Sequence, residues 1–142
     1  MPATVEALVT RITADGGKAV VEAPAAHEAA LTARLREAGW EAERVDRAPV
    51  FDAPTLHHAL YQACRLPAWF GFNWDALLDV LSEGPEAPAR GRALLFAGLD
   101  LLEERAPEVA RTFLEVVSDA RERGARVRVV RFAPTDPRPP RA

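Results

Sequence analysis

Apolar residues along the chain fall into helical stripes and short runs that alternate. Val5, Leu8 and Ile12 are spaced for one face of a helix over Thr4–Ile12. The cluster Ala14-Asp15-Gly16-Gly17 predicts a turn. Val20 and Val21, within Lys18–Ala23, predict a short buried strand. Pro24 is expected to open the next helix, because its fixed φ suits a first turn and its missing N–H costs nothing there. That helix carries Leu31 and Leu35 inward and stops at Gly39. Trp40–Asp46 predicts a second strand, with Trp40 in the core. A strand–helix–strand order favours parallel pairing with a right-handed crossover.

The second half repeats the pattern. Asp52-Ala-Pro-Thr reads as a cap for a helix whose inner face holds Leu56, Ala59, Leu60 and Ala63. Leu66-Pro67 should end it, since a residue before proline avoids the helical region. Asn73 is the expected N-cap of a helix over Trp74–Ser82, with Trp74, Leu77, Leu78 and Leu81 as its packed stripe. Ala93–Phe96 predicts a strand, Leu99–Leu102 a short helix, and Pro107 the start of a long one ended by Gly124. Arg126–Phe132 predicts the last strand. The fold class is therefore α/β: a small parallel β-sheet packed with helices. A single domain is expected over residues 1–132, with a proline-rich disordered tail over 133–142.

Composition narrows the function. At 142 residues the chain buries a core without staples. No apolar run approaches the roughly 18 residues of a membrane span, and no secretory signal is expected in the first fifteen residues, so no membrane role is expected. The one cysteine, Cys64, excludes an internal disulfide and an all-cysteine zinc site, and a cytoplasmic location is expected. The net charge of −3 argues against direct nucleic-acid binding. The acidity has a location: residues 66–89 hold no lysine or arginine but carry Asp75, Asp79, Glu83 and Glu86.

Asp75 and Asp79 stand one helical turn apart, about 40° from each other around the axis. Like charges at that spacing weaken an isolated helix by a few tenths of a kcal/mol. Asp75 has a structural explanation, since a carboxylate in the first turn favours the helix dipole. Asp79 lies beyond that effect and is either a solvated surface residue or half of a pair that meets a cation. The other polar signals read as structural. Tyr61 and Cys64 fall on the packed side of their helix, and His57 and His58 are surface or helix residues rather than catalytic ones. The basic run Arg121, Arg123, Arg126, Arg128 reads as a solvated helix end and strand face.

The segments Leu56-His-His-Ala-Leu60 and Leu66-Pro-Ala-Trp-Phe-Gly-Phe-Asn-Trp-Asp-Ala-Leu-Leu-Asp-Val-Leu81 closely resemble the barstar family of intracellular inhibitors of guanyl-type ribonucleases. The likeness spans about residues 42–132, with residues 1–41 as a βα extension that adds one N-terminal strand to a three-stranded core. The resemblance implies a 1:1 complex with a basic ribonuclease, or an immunity role against a related toxin. It implies no catalysis, no cofactor and no metal. By position it implies partner contacts at Trp69, Asn73, Asp75, Asp79, Ser82 and Asp119. Two departures stand out: Leu78 and Glu83-Gly84 occupy positions that carry tryptophans in barstar.

Two other readings use the same acidic face. One is an adaptor whose partner is not a nuclease. The other is an enzyme using Asp75 and Asp79 as magnesium ligands, although no phosphate-loop or nucleophile motif accompanies them. The inhibitor reading requires both aspartates to be exposed and not neutralised by this chain's own arginines.

Overall fold

The computed structural model describes residues 4–14, 16–45, 50, 52–64, 66, 70–71, 73–83 and 89–133. Among them the helices are α1 Val5–Thr13, α2 Glu28–Glu37, α3 Ala53–Ala63, α4 Trp74–Glu83, α5 Leu99–Arg105 and α6 Pro107–Glu122. The strands are β1 Val20–Pro24, β2 Glu41–Val45, β3 Arg92–Phe96 and β4 Val127–Ala133. All strand pairs are parallel, in the order β1-β4-β3-β2. The expected α/β class and small parallel sheet are those observed. Of the tail expected over 133–142, Ala133 is the last residue of β4 and residues 134–142 lie outside the described residues.

Strand β3 shows why three layers form. All five of its residues are buried, as befits a central parallel strand covered on both faces. Leu94 and Phe96 join a core with Leu56 and Leu60 of α3, Leu77 and Leu81 of α4, and Phe113 and Val117 of α6. Ala93 and Leu95 point the other way, into a second core with Leu8 and Ile12 of α1 and Leu31 and Leu35 of α2. The N-terminal βα unit therefore covers one whole face of the sheet. Its strand β1 also pairs with β4, Val20 opposite Val129 through Pro24 opposite Ala133.

Several local expectations need correction. Pro24 closes β1 instead of opening a helix, and a 3-10 turn at Ala25–His27 precedes α2. Proline is tolerated there because β1 is an edge strand. Helix α3 stops at Ala63, short of Leu66, where the Leu66 N–H reaches back to the Tyr61 carbonyl at 3.1 Å. On α4 the fully buried positions are Leu77, Val80 and Leu81, with Trp74 and Leu78 only partly covered. The stripe turns toward Val80 because α4 packs chiefly against α6.

The basic run is not uniformly solvated. Arg128 is 3% exposed and donates from Nη2 to the Ala14 carbonyl at 3.0 Å. Arg121 donates to the Gly17 carbonyl and Arg126 to that of Thr13. The guanidiniums of Arg126 and Arg128 meet the carbonyl end of α1, where a helix favours cations. Arg126 and Arg128 also lie over the Trp40 ring, each 5.7 Å from its centroid. Trp40 itself is buried, as expected. Three arginines of the C-terminal half thus fasten the α1–β1 connection.

Candidate docking face on helix α4

Helix α4 is set by its first residue's neighbour. Asn73 accepts a hydrogen bond at Oδ1 from the Ala76 N–H, 2.8 Å, and donates from Nδ2 to the Gly71 carbonyl, 3.3 Å. The same amide thus satisfies an orphan helix donor and holds the approach to the helix. Below, Leu77, Val80 and Leu81 anchor the helix in the core. Above, Asp75 and Asp79 are exposed, about 6 Å apart along the axis.

The helix before it is capped as strongly. Asp52 and Thr55 form a reciprocal capping box, Thr55 N–H to Asp52 Oδ1 at 2.9 Å and Asp52 N–H to Thr55 Oγ1 at 3.1 Å. These bonds hold the Asp52 carboxyl below its ordinary pKa. Helix α3 contributes His57, which is 3% exposed and sits under α4. Its ring meets Trp74 edge-on at 4.6 Å and Phe70 at 6.1 Å. His57 is thus a helix residue but not a surface one, and burial lowers its pKa. Cys64, also buried as expected, has its thiol pKa pushed up to about 12 by burial, which favours the protonated thiol.

The two aspartates differ. Asp75 has no ion pair among the described residues. Asp79 is 65% exposed and faces Arg123, Nη1 to Oδ1 at 3.8 Å, across from the end of α6. The requirement that neither aspartate meet an arginine of this chain is therefore met by Asp75 and only in part by Asp79. A pair this exposed and this long is worth about 0–1 kcal/mol, so it leaves Asp79 available to a stronger cation. Position in sequence did not reveal Arg123 as a neighbour of α4. The packing of α4 on α6 brings it there.

Of the other expected contacts, Asp119 is exposed on α6, one turn before Arg123. Ser82 is half-buried, and its hydroxyl oxygen is enclosed without a hydrogen-bond partner among the described residues. Trp69 lies outside the described residues. Across α4 and α6 the structure brings together Asp79 and Arg123; Asn73, Asp75 and Asp119 are exposed on their own elements, whereas Ser82 encloses its hydroxyl oxygen. No three His, Cys, Asp or Glu side chains gather as a metal-binding group among the described residues. No described helix is long and apolar enough to cross a membrane.

A family model described as "Barstar (barnase inhibitor)" matches residues 40–133. The chain belongs to the barstar family. The match takes in β2 through β4 and all of α3 to α6, and residues before Trp40 lie outside it. Members of the barstar family are inhibitors rather than enzymes. The acidic face of α4 lies inside the barstar match. A search of curated proteins returns no match.

Proposed function

We propose that this barstar-family protein inhibits a guanyl-type ribonuclease, or a related toxin nuclease as its immunity protein, by plugging the basic active site with α4. The observation that carries this reading is the exposure of Asp75 and Asp79 on one face of a helix whose other face is locked into the core. A ribonuclease site gathers arginine, lysine and histidine around the phosphate it cleaves. Two carboxylates on a rigid helix imitate that phosphate and accept charge-assisted hydrogen bonds. Opposite fields steer the encounter, so association slows as salt rises. Desolvated carboxylate–guanidinium pairs then slow dissociation.

Asn73, at the start of α4, extends the contact surface of the aspartates, and Trp69 is a further, apolar contact. The protein performs no chemistry, acts in the cytoplasm, binds one nuclease and touches no RNA. Residues 1–41 serve the same domain as a cover for the sheet.

The test is a titration of purified protein into several guanyl-type ribonucleases while RNA cleavage is followed. Stoichiometric loss of cleavage at one inhibitor per nuclease is expected. Undiminished cleavage across the set rejects the nuclease reading and leaves the same face to a partner of another kind.

A further inference from the structure

Arg123 faces one carboxylate across the helix pair and follows a second by one helical turn. Toward α4 it faces Asp79 at 3.8 Å. On its own element it lies four residues after Asp119, and its N–H bonds the Asp119 carbonyl at 3.2 Å, so the helical spacing continues to Arg123. Side chains at that spacing are neighbours, and an acid preceding a base is the favourable order. The Asp119 carboxylate is exposed and has no ion pair among the described residues. Arg123 is itself 54% exposed on its side chain, so about half of it lies in solvent.

We infer that Arg123 is a displaceable counter-ion: it occupies Asp79 in the free protein and swings to Asp119 when a partner's cation takes its place. This rests on the reading of the α4 face as a docking surface for a cationic cleft. Asp79 is then offered at full charge only to a cation that competes better than an exposed guanidinium at long range. A bidentate arginine inside a water-poor cleft does so, and a solvated surface lysine does not. Asp119 thereby serves as the resting place of the displaced guanidinium and makes no partner contact of its own. Arg123 is a selectivity residue, because it raises the threshold for every weakly cationic surface.

The test uses the full chain and hexa-arginine as a cationic probe at low salt, with affinities from titration calorimetry and the Arg123 side-chain nitrogens followed by NMR. Arg123→Gln should bind the probe about two- to fivefold more tightly than wild type. Asp119→Asn should weaken binding about twofold in the wild-type background and leave the Arg123→Gln background unchanged. The Arg123 guanidinium signals should shift on titration of wild type, and less so in Asp119→Asn. No probe binding, no gain from Arg123→Gln, or an equal loss from Asp119→Asn in both backgrounds overturns the inference. Ribonuclease inhibition is measured beside it. Failure of every variant to inhibit, with the probe pattern intact, sinks the inhibitor reading and leaves the counter-ion exchange standing.

Discussion

The imidazole of His57 lies edge-on against the indole of Trp74, ring centroids 4.6 Å apart and planes at 68°. A titratable ring is thereby buried under the first residue of the acidic helix. Its Nε2 has no hydrogen-bond partner among the described residues, so a proton added there would be poorly compensated. Burial holds the folded pKa below the ordinary value.

The sign of the pH dependence follows. An unfolded histidine takes up its proton near pH 6.5, and the folded one resists until lower pH. In that window the unfolded chain binds more protons, so stability rises with pH. The His57 contribution is complete above about pH 6.5 and is lost as the pH falls toward the folded value. Urea unfolding of wild type should show falling stability on acidification through this range. His57→Leu should flatten that slope. A variant that keeps the wild-type slope assigns the effect to other groups.

Removing the cap of α4 should loosen the acidic face without harming the core. Asn73→Ala deprives the Ala76 N–H of its acceptor and should cost about 1 kcal/mol. Amide exchange should quicken most in the first turn of α4, while the β3 amides quicken only by the factor that the loss of global stability sets. Asn73→Asp keeps an acceptor and should restore most of the loss.

The α4 carboxylates should outweigh other surface acids in partner binding. Asp75→Ala and Asp79→Ala should each raise the dissociation constant of a ribonuclease complex tenfold or more, about 1.4 kcal/mol. Glu104→Ala, exposed on α5, should stay within a factor of two. Comparable losses at all three positions would mean that net charge, and not the α4 face, governs the encounter.

Residues before the barstar match should matter to the stability of the whole. Leu35 of α2 is fully buried in the second core beside Leu95 and Val130. Leu35→Ala should destabilise the entire molecule by about 2–5 kcal/mol, in one transition seen equally by probes in α2 and in β3. Two separate transitions would show that the βα unit folds apart from the sheet it covers.

Gly91 permits the close approach of Trp40 to β3. A Cβ there would stand 2.7 Å from two atoms of the Trp40 ring and 2.9 Å from the Arg126 carbonyl oxygen. The ring cannot easily retreat, since Arg126 and Arg128 lie over it. Gly91→Ala should therefore cost about 1–3 kcal/mol, with a change in the near-ultraviolet circular dichroism of the indole.

Much of this protein was legible along the chain because its signals are local. Asn73 caps α4 through a bond only three residues long, and Asp52 with Thr55 closes a capping box over the same distance. The inward faces of α1, α2, α3 and α6 follow from the period of the helix, and the apolar run Ala93–Phe96 predicted a strand. The spacing of Asp75 and Asp79 likewise placed both on one side of one helix. These features depend on backbone geometry within a turn or two, so the order of residue types determines them.

Contacts between distant segments were decided elsewhere. Nothing near Asp79 in the chain announces Arg123, forty-four residues on; the packing of α4 against α6 sets them 3.8 Å apart. Arg128 read as a solvated strand residue, yet the end of α1 supplies the carbonyl that accepts its hydrogen bond and Trp40 the ring face over which its guanidinium lies. His57 read as a helix position of no special environment until Trp74 and Phe70 closed over it. In each case the free energy of a polar group depends on what surrounds it, and only the assembled layers supply those surroundings.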